Sequence, residues 1–141
     1  MNYFKSQKFK DIAGFIAAII LSTACLAAAT FHINVILDLK HHGVRVNARV
    51  VDISRGARNS RWAVYQYAIA NGQHTTARDK FQQYIKRVHK GETVWVIYHR
   101  NDVETVTADL GIWIWQAPAI FLSGFLLLAV LAFFIWRKRS T

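Results

Sequence analysis

The six histidines are the residues of this chain most able to bind a metal ion, because neutral imidazole is a ligand of zinc, copper and nickel. His41 and His42 are adjacent, while the others fall in different predicted elements, and no cluster of carboxylates accompanies them. Cys25 is the only cysteine, which excludes an intrachain disulfide and a cysteine-based zinc site. We therefore predict solvated or headgroup-facing histidines and no metal or other cofactor.

Catalytic motifs are missing from the sequence, although serine, histidine and aspartate all occur. We find no Gly-x-Ser-x-Gly elbow, no paired carboxylates and no phosphate-cradling glycine loop. We therefore predict that the protein is not an enzyme.

Aromatic residues near arginines suggest a second kind of chemistry, the stacking of bases by a single-stranded nucleic-acid binder. The residues concerned are Trp62, Tyr65, Tyr67, Trp95 and Tyr98. Core packing is the favoured interpretation, because a small sheet needs large side chains to cover its inner face and the alternation places at least some of these residues there. There is no helix-turn-helix pattern, zinc-finger spacing or ribonucleoprotein motif, and so we predict no nucleic-acid partner.

A basic loop is the candidate for partner contact. The formal net charge is +10, a balance that suits anionic lipid headgroups, an acidic protein or nucleic acid. Arg55, Arg58 and Arg61 lie within and beside a polar, glycine-containing segment. We predict that they contact an acidic partner or lipid headgroups, with a simple solvated loop as the alternative.

The chain ends indicate which elements position these residues. Of the 141 residues 53% are hydrophobic, and these concentrate toward the two termini, which is typical of a membrane protein. Residues 12–37 form the first predicted transmembrane helix, long enough to cross a hydrocarbon core of about 30 Å. A cleaved signal peptide is the alternative, but the apolar run is too long for a typical one.

Residues 112–136 form the second predicted span and carry no charged residue before Arg137. Pro118 falls in its first turns, where a missing amide donor costs little. Trp113 and Trp115 stand near one end and Trp136 at the other, about 35 Å apart in an ideal helix. This spacing predicts that the three tryptophans are anchors at the two membrane interfaces.

The segment between the spans, 38–111, predicts a β-rich domain because its hydrophobic period changes to two. Asn71-Gly72 predicts a two-residue type I′ hairpin turn. Residues 81–88 have apolar positions at i, i+3, i+4 and i+7, which predicts a short amphipathic helix or a pair of turns. The alternating stretches predict four or five strands, which are Val44–Val50, Arg61–Ala70, Gln73–Arg78, Glu92–Tyr98 and Val103–Ala108.

The predicted fold class is therefore membrane α+β, with two transmembrane helices flanking a small antiparallel sheet or open barrel. Three lysines in residues 1–11 and three basic residues in 137–141 favour cytoplasmic termini. The domain between the spans then faces the periplasm or cell exterior, because loops beyond about 60 residues translocate largely regardless of charge.

Three stretches resemble a widespread but functionally uncharacterised bacterial membrane family with a helix, β-domain, helix layout. They are Ala48-Arg49-Val50, Tyr65-Gln66-Tyr67 followed by Gly72, and Gly91 through Tyr98. Family members often continue as Tyr-x-Pro-x-Asn-Pro, whereas this chain has neither proline after Tyr98. The resemblance implies an architecture and an envelope location, and it assigns no catalytic residue.

The leading function hypothesis is an inner-membrane protein that presents the basic β-domain to an envelope protein partner or to lipid headgroups. One alternative is an immunity-type protein that blocks a toxin or channel in the membrane. Another is an accessory subunit of a membrane enzyme or assembly complex. The sequence leaves self-association open.

Overall fold

The computed structural model describes residues 2–140, with side chains from residue 5 onward. It contains two compact units, a helical unit made of the chain up to Thr30 and from Pro118 onward, and a sheet unit spanning Phe31–Ala117. Helix α1 runs over Asn2–His42 and contributes to both, and helix α2 runs over Gln116–Ser140.

The helical unit exposes apolar side chains along both helices. Ile20 is 62% exposed and Leu127 is 66% exposed, and both helices are long and apolar enough to cross a membrane. The two helices approach closely at Gly124, where an added Cβ would lie 3.5 Å from the Cys25 sulfur. Lys8 and Lys138 line one shared cavity of about 480 Å³, which brings the two basic flanks to the same end of this unit.

The sheet unit is built on five antiparallel strands, which confirms the predicted antiparallel sheet. The strands pair in the order β3-β2-β1-β4-β5 and curl into a half-barrel. Its inner core contains fully buried Val50, Val96 and Val106, together with tyrosines described below. The strands are β1 Gly43–Arg55, β2 Arg61–Ala68, β3 His74–Arg78, β4 Thr93–His99 and β5 Val106–Ala108.

One end of the outer side of the sheet is covered by the last turns of α1. Ile36 and Leu39 are almost fully buried against Ile97 of β4, in a cluster that also includes Phe81 and Ile114. The helix gives way to β1 directly at Gly43, where an added Cβ would lie 2.1 Å from the Leu39 carbonyl oxygen. A side chain at this position would therefore collide with the helix backbone.

The turn between β2 and β3 differs from the predicted two-residue type I′ turn. The Gly72 amide donates to the Ile69 carbonyl at 2.9 Å, and the Ile69 amide donates to the Gln73 carbonyl at 2.9 Å. Gly72 has φ of +82°, whereas Asn71 has negative φ. The loop therefore has three residues and ends in a left-handed glycine, because Asn71 uses its carboxamide oxygen to accept from the Gln73 amide instead of adopting positive φ itself.

Residues 81–88 form bends, so of the two predicted alternatives, a short amphipathic helix or a pair of turns, the helix is wrong. Side-chain amides replace the helical hydrogen bonds: the Val88 amide donates to Gln83 Oε1 at 3.1 Å, and the amides of Ile85 and Lys86 donate to Gln116 Oε1. Ile85 is 63% exposed while Val88 is buried, so the helical spacing of apolar residues did not correspond to one buried face.

Candidate interaction surface

The inner face of the half-barrel contains three tyrosines from the aromatic set. Tyr65, Tyr67 and Tyr98 are between 0% and 3% exposed, and the rings of Tyr67 and Tyr98 stack with centroids 5.4 Å apart. Core packing is confirmed for these three residues. Burial, and then the charge of Glu104, raise the pKa of Tyr67 to about 12, so its hydroxyl stays protonated and donates to the Val103 carbonyl.

The two tryptophans of the set lie on the outer face instead, and each pairs with an arginine. The Arg45 guanidinium lies 4.2 Å from the ring centroid of Trp95, and the Arg78 guanidinium lies 5.1 Å from that of Trp62. Such cation–π contacts are worth about 0.5–1 kcal/mol at exposed sites. Trp95 is 43% exposed and is therefore not a core residue, because successive residues of a strand point to opposite faces.

The outer face of β1 to β4 is basic. We name it the outer basic face and define it by Arg45, Arg49, Trp62, Arg78 and Trp95. The ladder places Arg49 opposite Gln66 on β2 and Thr93 on β4, and both of these neutral residues are exposed. Two carboxylates accompany this set: Asp109 accepts from Arg45 Nε at 2.8 Å, and the exposed Asp52 lies on the same face of β1, opposite Val64. Arg49 and Arg78 have no ion pair among residues 5–140.

The basic loop predicted from sequence is a tight connection between β1 and β2. Arg55 and Arg61 are cross-strand partners, and Arg58 lies at the tip with φ of +56°. Arg55 and Arg58 are exposed, whereas Arg61 is half-buried and donates to the Val88 carbonyl at 2.7 Å. Arg61 therefore holds the 81–88 segment against the sheet, and the two exposed arginines remain available for contact.

The tryptophans near the second helix occupy different settings. Trp113 and Trp115 lie in a 3-10 helix, Gly111–Trp115, that precedes α2, whereas Trp136 is 55% exposed within α2. The Trp115 ring packs near Ile36 and Leu39 and lies 5.5 Å from the Lys40 ammonium. Trp113 remains 41% exposed, so the two indoles that the sequence treated alike differ in their contacts.

A buried carboxyl group, Asp79, was missed by the sequence reasoning. One oxygen accepts from the Phe81 amide at 2.9 Å, and the other accepts from the Tyr65 hydroxyl at 2.5 Å and from the Ala108 amide at 3.4 Å. Burial raises the pKa of Asp79 to about 6 and raises the pKa of Tyr65 well above its usual value. Because Asp79 directly follows the edge strand β3 and accepts from Ala108 of β5, it links the two edges of the half-barrel.

A second arrangement that the sequence did not predict joins two histidines through one carboxylate. Asp38 Oδ1 lies 3.0 Å from His42 Nδ1, and Asp38 Oδ2 lies 3.1 Å from His99 Nε2. The Asn101 amide donates to His99 Nδ1, which leaves the Nε2 proton of a neutral ring to donate to Asp38. Within residues 2–140 no group of three or more histidine, cysteine or acidic side chains has an arrangement that could hold a metal ion.

Comparison with protein families identifies the sheet unit. Residues 43–113, from the first residue of β1 into the 3-10 helix, match the family described as a domain of unknown function, DUF3592. The chain belongs to this family. The predicted resemblance to an uncharacterised family is thereby confirmed. No curated protein and no solved structure matches the chain.

The DUF3592 domain coincides with the five strands. All the residues of the outer basic face and the basic loop fall inside the match, whereas α1 and α2 lie outside it. The candidate interaction surface therefore lies within the matched domain.

Proposed function

We propose that the protein is a non-enzymatic, membrane-anchored binding module whose DUF3592 domain docks the acidic surface of an envelope protein through its outer basic face. The observation that carries this proposal is the pairing of exposed arginines with half-exposed tryptophans on one side of the sheet. Tryptophan and arginine are enriched among the residues that dominate binding energy at protein interfaces.

The charge of this surface indicates the kind of partner that it would bind. Arg49 and Arg78 have no ion pair within residues 5–140, and Asp52, opposite Val64, is the acidic residue that the ladder places beside them on this face. A carboxylate-rich partner would supply counter-charge to the two arginines and would be steered toward the face during encounter. The exposed Arg55 and Arg58 extend the basic character to the β1–β2 connection. Anionic headgroups offer the same charge and are the competing occupant that the experiment below must separate.

The proposed location is the bacterial inner membrane. The two apolar helices suit transmembrane spans, and their basic flanks share one end of the helical unit, which suits two cytoplasmic termini under the positive-inside rule. The DUF3592 domain then faces the periplasm or the cell exterior. Alkaline phosphatase inserted within residues 54–60 should be active, and a fluorescent protein after Thr141 should glow. The reverse pair of results would contradict this orientation.

In-cell photocrosslinking tests the docking surface. A photoreactive amino acid at Gln66 or Thr93, which flank Arg49 in the ladder, should give a discrete protein adduct. Arg49→Glu should abolish that adduct, because it reverses a charge at the centre of the face. Arg87→Glu is the matched control, since Arg87 is an exposed cation on the 81–88 segment and outside the face.

The outcomes separate the hypotheses. Loss of the adduct in Arg49→Glu but not in Arg87→Glu supports the proposal, and the captured protein distinguishes an envelope partner from a toxin or a larger enzyme complex. An adduct that survives Arg49→Glu, or adducts to lipid alone from both sites, would overturn it.

A further inference from the structure

The inner face of the half-barrel ends in a cavity of about 510 Å³, separate from the outer basic face. Its walls come from four segments: Val44 of β1, Ile69 after β2, Tyr98 of β4 and Val103 in the following turn. Val44 and Tyr98 are direct cross-strand partners, so the strand ladder itself forms one side. Its volume falls within the range of small-ligand sites, which commonly lie in the mouths of β-barrels.

The Tyr98 hydroxyl distinguishes this cavity from a simple gap in packing. Tyr65 donates to Asp79 and Tyr67 donates to the Val103 carbonyl, but the Tyr98 hydroxyl has no hydrogen-bond partner within residues 5–140. Tyr98 is only 3% exposed as a whole residue, but its hydroxyl oxygen is not fully enclosed, and Tyr98 lines the cavity. A hydroxyl that is accessible and unpaired within the described residues is free to donate to a bound ligand.

Arg100 supplies the only charge in the cavity lining. It is exposed and has no ion pair in the described part of the chain. Two acidic residues of the same turn, Asp102 and Glu104, line a different cavity of about 590 Å³ beside β3. The Asp102 carboxylate moreover accepts a hydrogen bond from the Thr105 hydroxyl at 2.6 Å. The cavity thus combines apolar walls with two hydrogen-bond donors, one of them cationic.

We infer that this cavity binds a small amphiphile with an apolar body and one anionic oxygen group. The body packs against Val44, Ile69 and Val103, and the anionic group accepts from the Tyr98 hydroxyl and the Arg100 guanidinium. Charge-assisted bonds of this kind are about twice as strong as neutral ones. This site goes beyond the docking function, because it lies on the inner face and needs no protein partner. The ligand reaches it either from the bilayer or from the aqueous phase.

The test uses the full chain in phosphatidylcholine nanodiscs, with methyl-labelled valine and isoleucine observed by NMR during titration with octanoate. The methyl signals of Val44, Ile69 and Val103 should shift and saturate together. Arg100→Gln and Tyr98→Phe should each weaken octanoate binding about tenfold, because each removes one donor to the carboxylate. Arg87→Gln should leave binding unchanged. Tyr98→Phe should also leave the unfolding midpoint unchanged, since its hydroxyl has no partner to lose.

Nanodiscs that contain phosphatidylglycerol and no octanoate identify the source of the ligand. Shifts of the same three methyl signals there assign the ligand to a bilayer lipid, while shifts only with octanoate assign it to a soluble amphiphile. The proposal is overturned if octanoate gives no saturable shift at these methyl groups. It is equally overturned if Arg100→Gln and Tyr98→Phe bind octanoate like the unaltered chain.

Discussion

The inner and outer faces of the sheet use similar aromatic residues in opposite ways. On the inner face, Tyr65 and Tyr67 are sealed from solvent, and both hydroxyls are bonded within the fold. On the outer face, Trp62 and Trp95 keep solvent contact and stack against arginines. The inner set therefore contributes mainly to stability, and the outer set offers apolar area beside charge, which is the combination that interfaces use.

Charged residues of the sheet unit also differ according to whether they are buried or exposed. Asp79 is enclosed and bonded to groups from several strands, so its ionisation acts on the fold. Arg45 is 53% exposed at its side chain and bonded to Asp109 in solvent, where an ion pair contributes little. Burial therefore decides which charged residues matter for stability and which remain available for a partner.

The largest expected effect is a difference in the free energy of unfolding between two variants, each of which removes one aromatic residue from one face. Tyr67→Ala should lower the free energy of unfolding by about 3–5 kcal/mol, because it empties a fully packed site. Trp95→Ala should lower it by about 1 kcal/mol or less, since it removes an exposed cation–π contact. Pulse proteolysis in urea on the full chain in detergent measures both. Equal losses would mean that the outer tryptophan is a core residue.

A second prediction concerns the pH dependence that Asp79 introduces. Its pKa is raised from 3.8 to about 6 in the folded state, so the folded protein holds this proton more tightly than the unfolded chain. Stability from this group is complete below about pH 4 and is lost as the pH rises to about 6, by roughly 3 kcal/mol. Asp79→Asn should remove this dependence of stability on pH. Urea midpoints of both proteins from pH 4 to pH 7 test it, and an identical slope in both would contradict it.

The hairpin turn bears on the comparison of the two faces. The turn helps to set the strand register, and the register decides which residues point to each face. Gly72→Val should destabilise the sheet by about 1–2 kcal/mol, since a β-branched residue resists the φ of +82°. Asn71→Val should cost about 0.5–1 kcal/mol through loss of the bond from the Gln73 amide. Urea unfolding separates the two variants. A larger loss from Asn71→Val would argue for the two-residue turn instead.

The smallest expected effect is on the outer face. Arg45→Gln should change stability by about 0–1 kcal/mol, because the Arg45–Asp109 pair is solvent-exposed. The same variant is expected to weaken the crosslink from Thr93 if Arg45 contacts the partner. A stability loss as large as that of Tyr67→Ala would mean that Arg45 supports the fold, and the distinction between the two faces would fail.

The sequence by itself determined the helices and strands and most of the alternation between buried and exposed strand residues. Long uncharged runs can form only apolar helices, and a period of two marks strands with one buried face. These patterns are local, and they predicted four or five strands in an antiparallel sheet or open barrel. They did not predict that β1 continues to Arg55, because the bulge between Val50 and Asp52 restores the inward direction of Ile53 after one extra residue.

Only the tertiary structure decided which aromatic residues are core and which are surface. Trp95 alternates with the partly buried Val94 and the buried Val96, as any strand residue would. Its exposure depends on whether α1 covers that part of the outer side, and α1 covers Ile97 instead. The same holds for Asp79, His99 and Arg61. Their partners are Tyr65, Asp38 and Val88, which lie between 14 and 61 positions away along the chain. A contact over such separations is fixed by how strands pair and curl, and no local pattern of residue types encodes it.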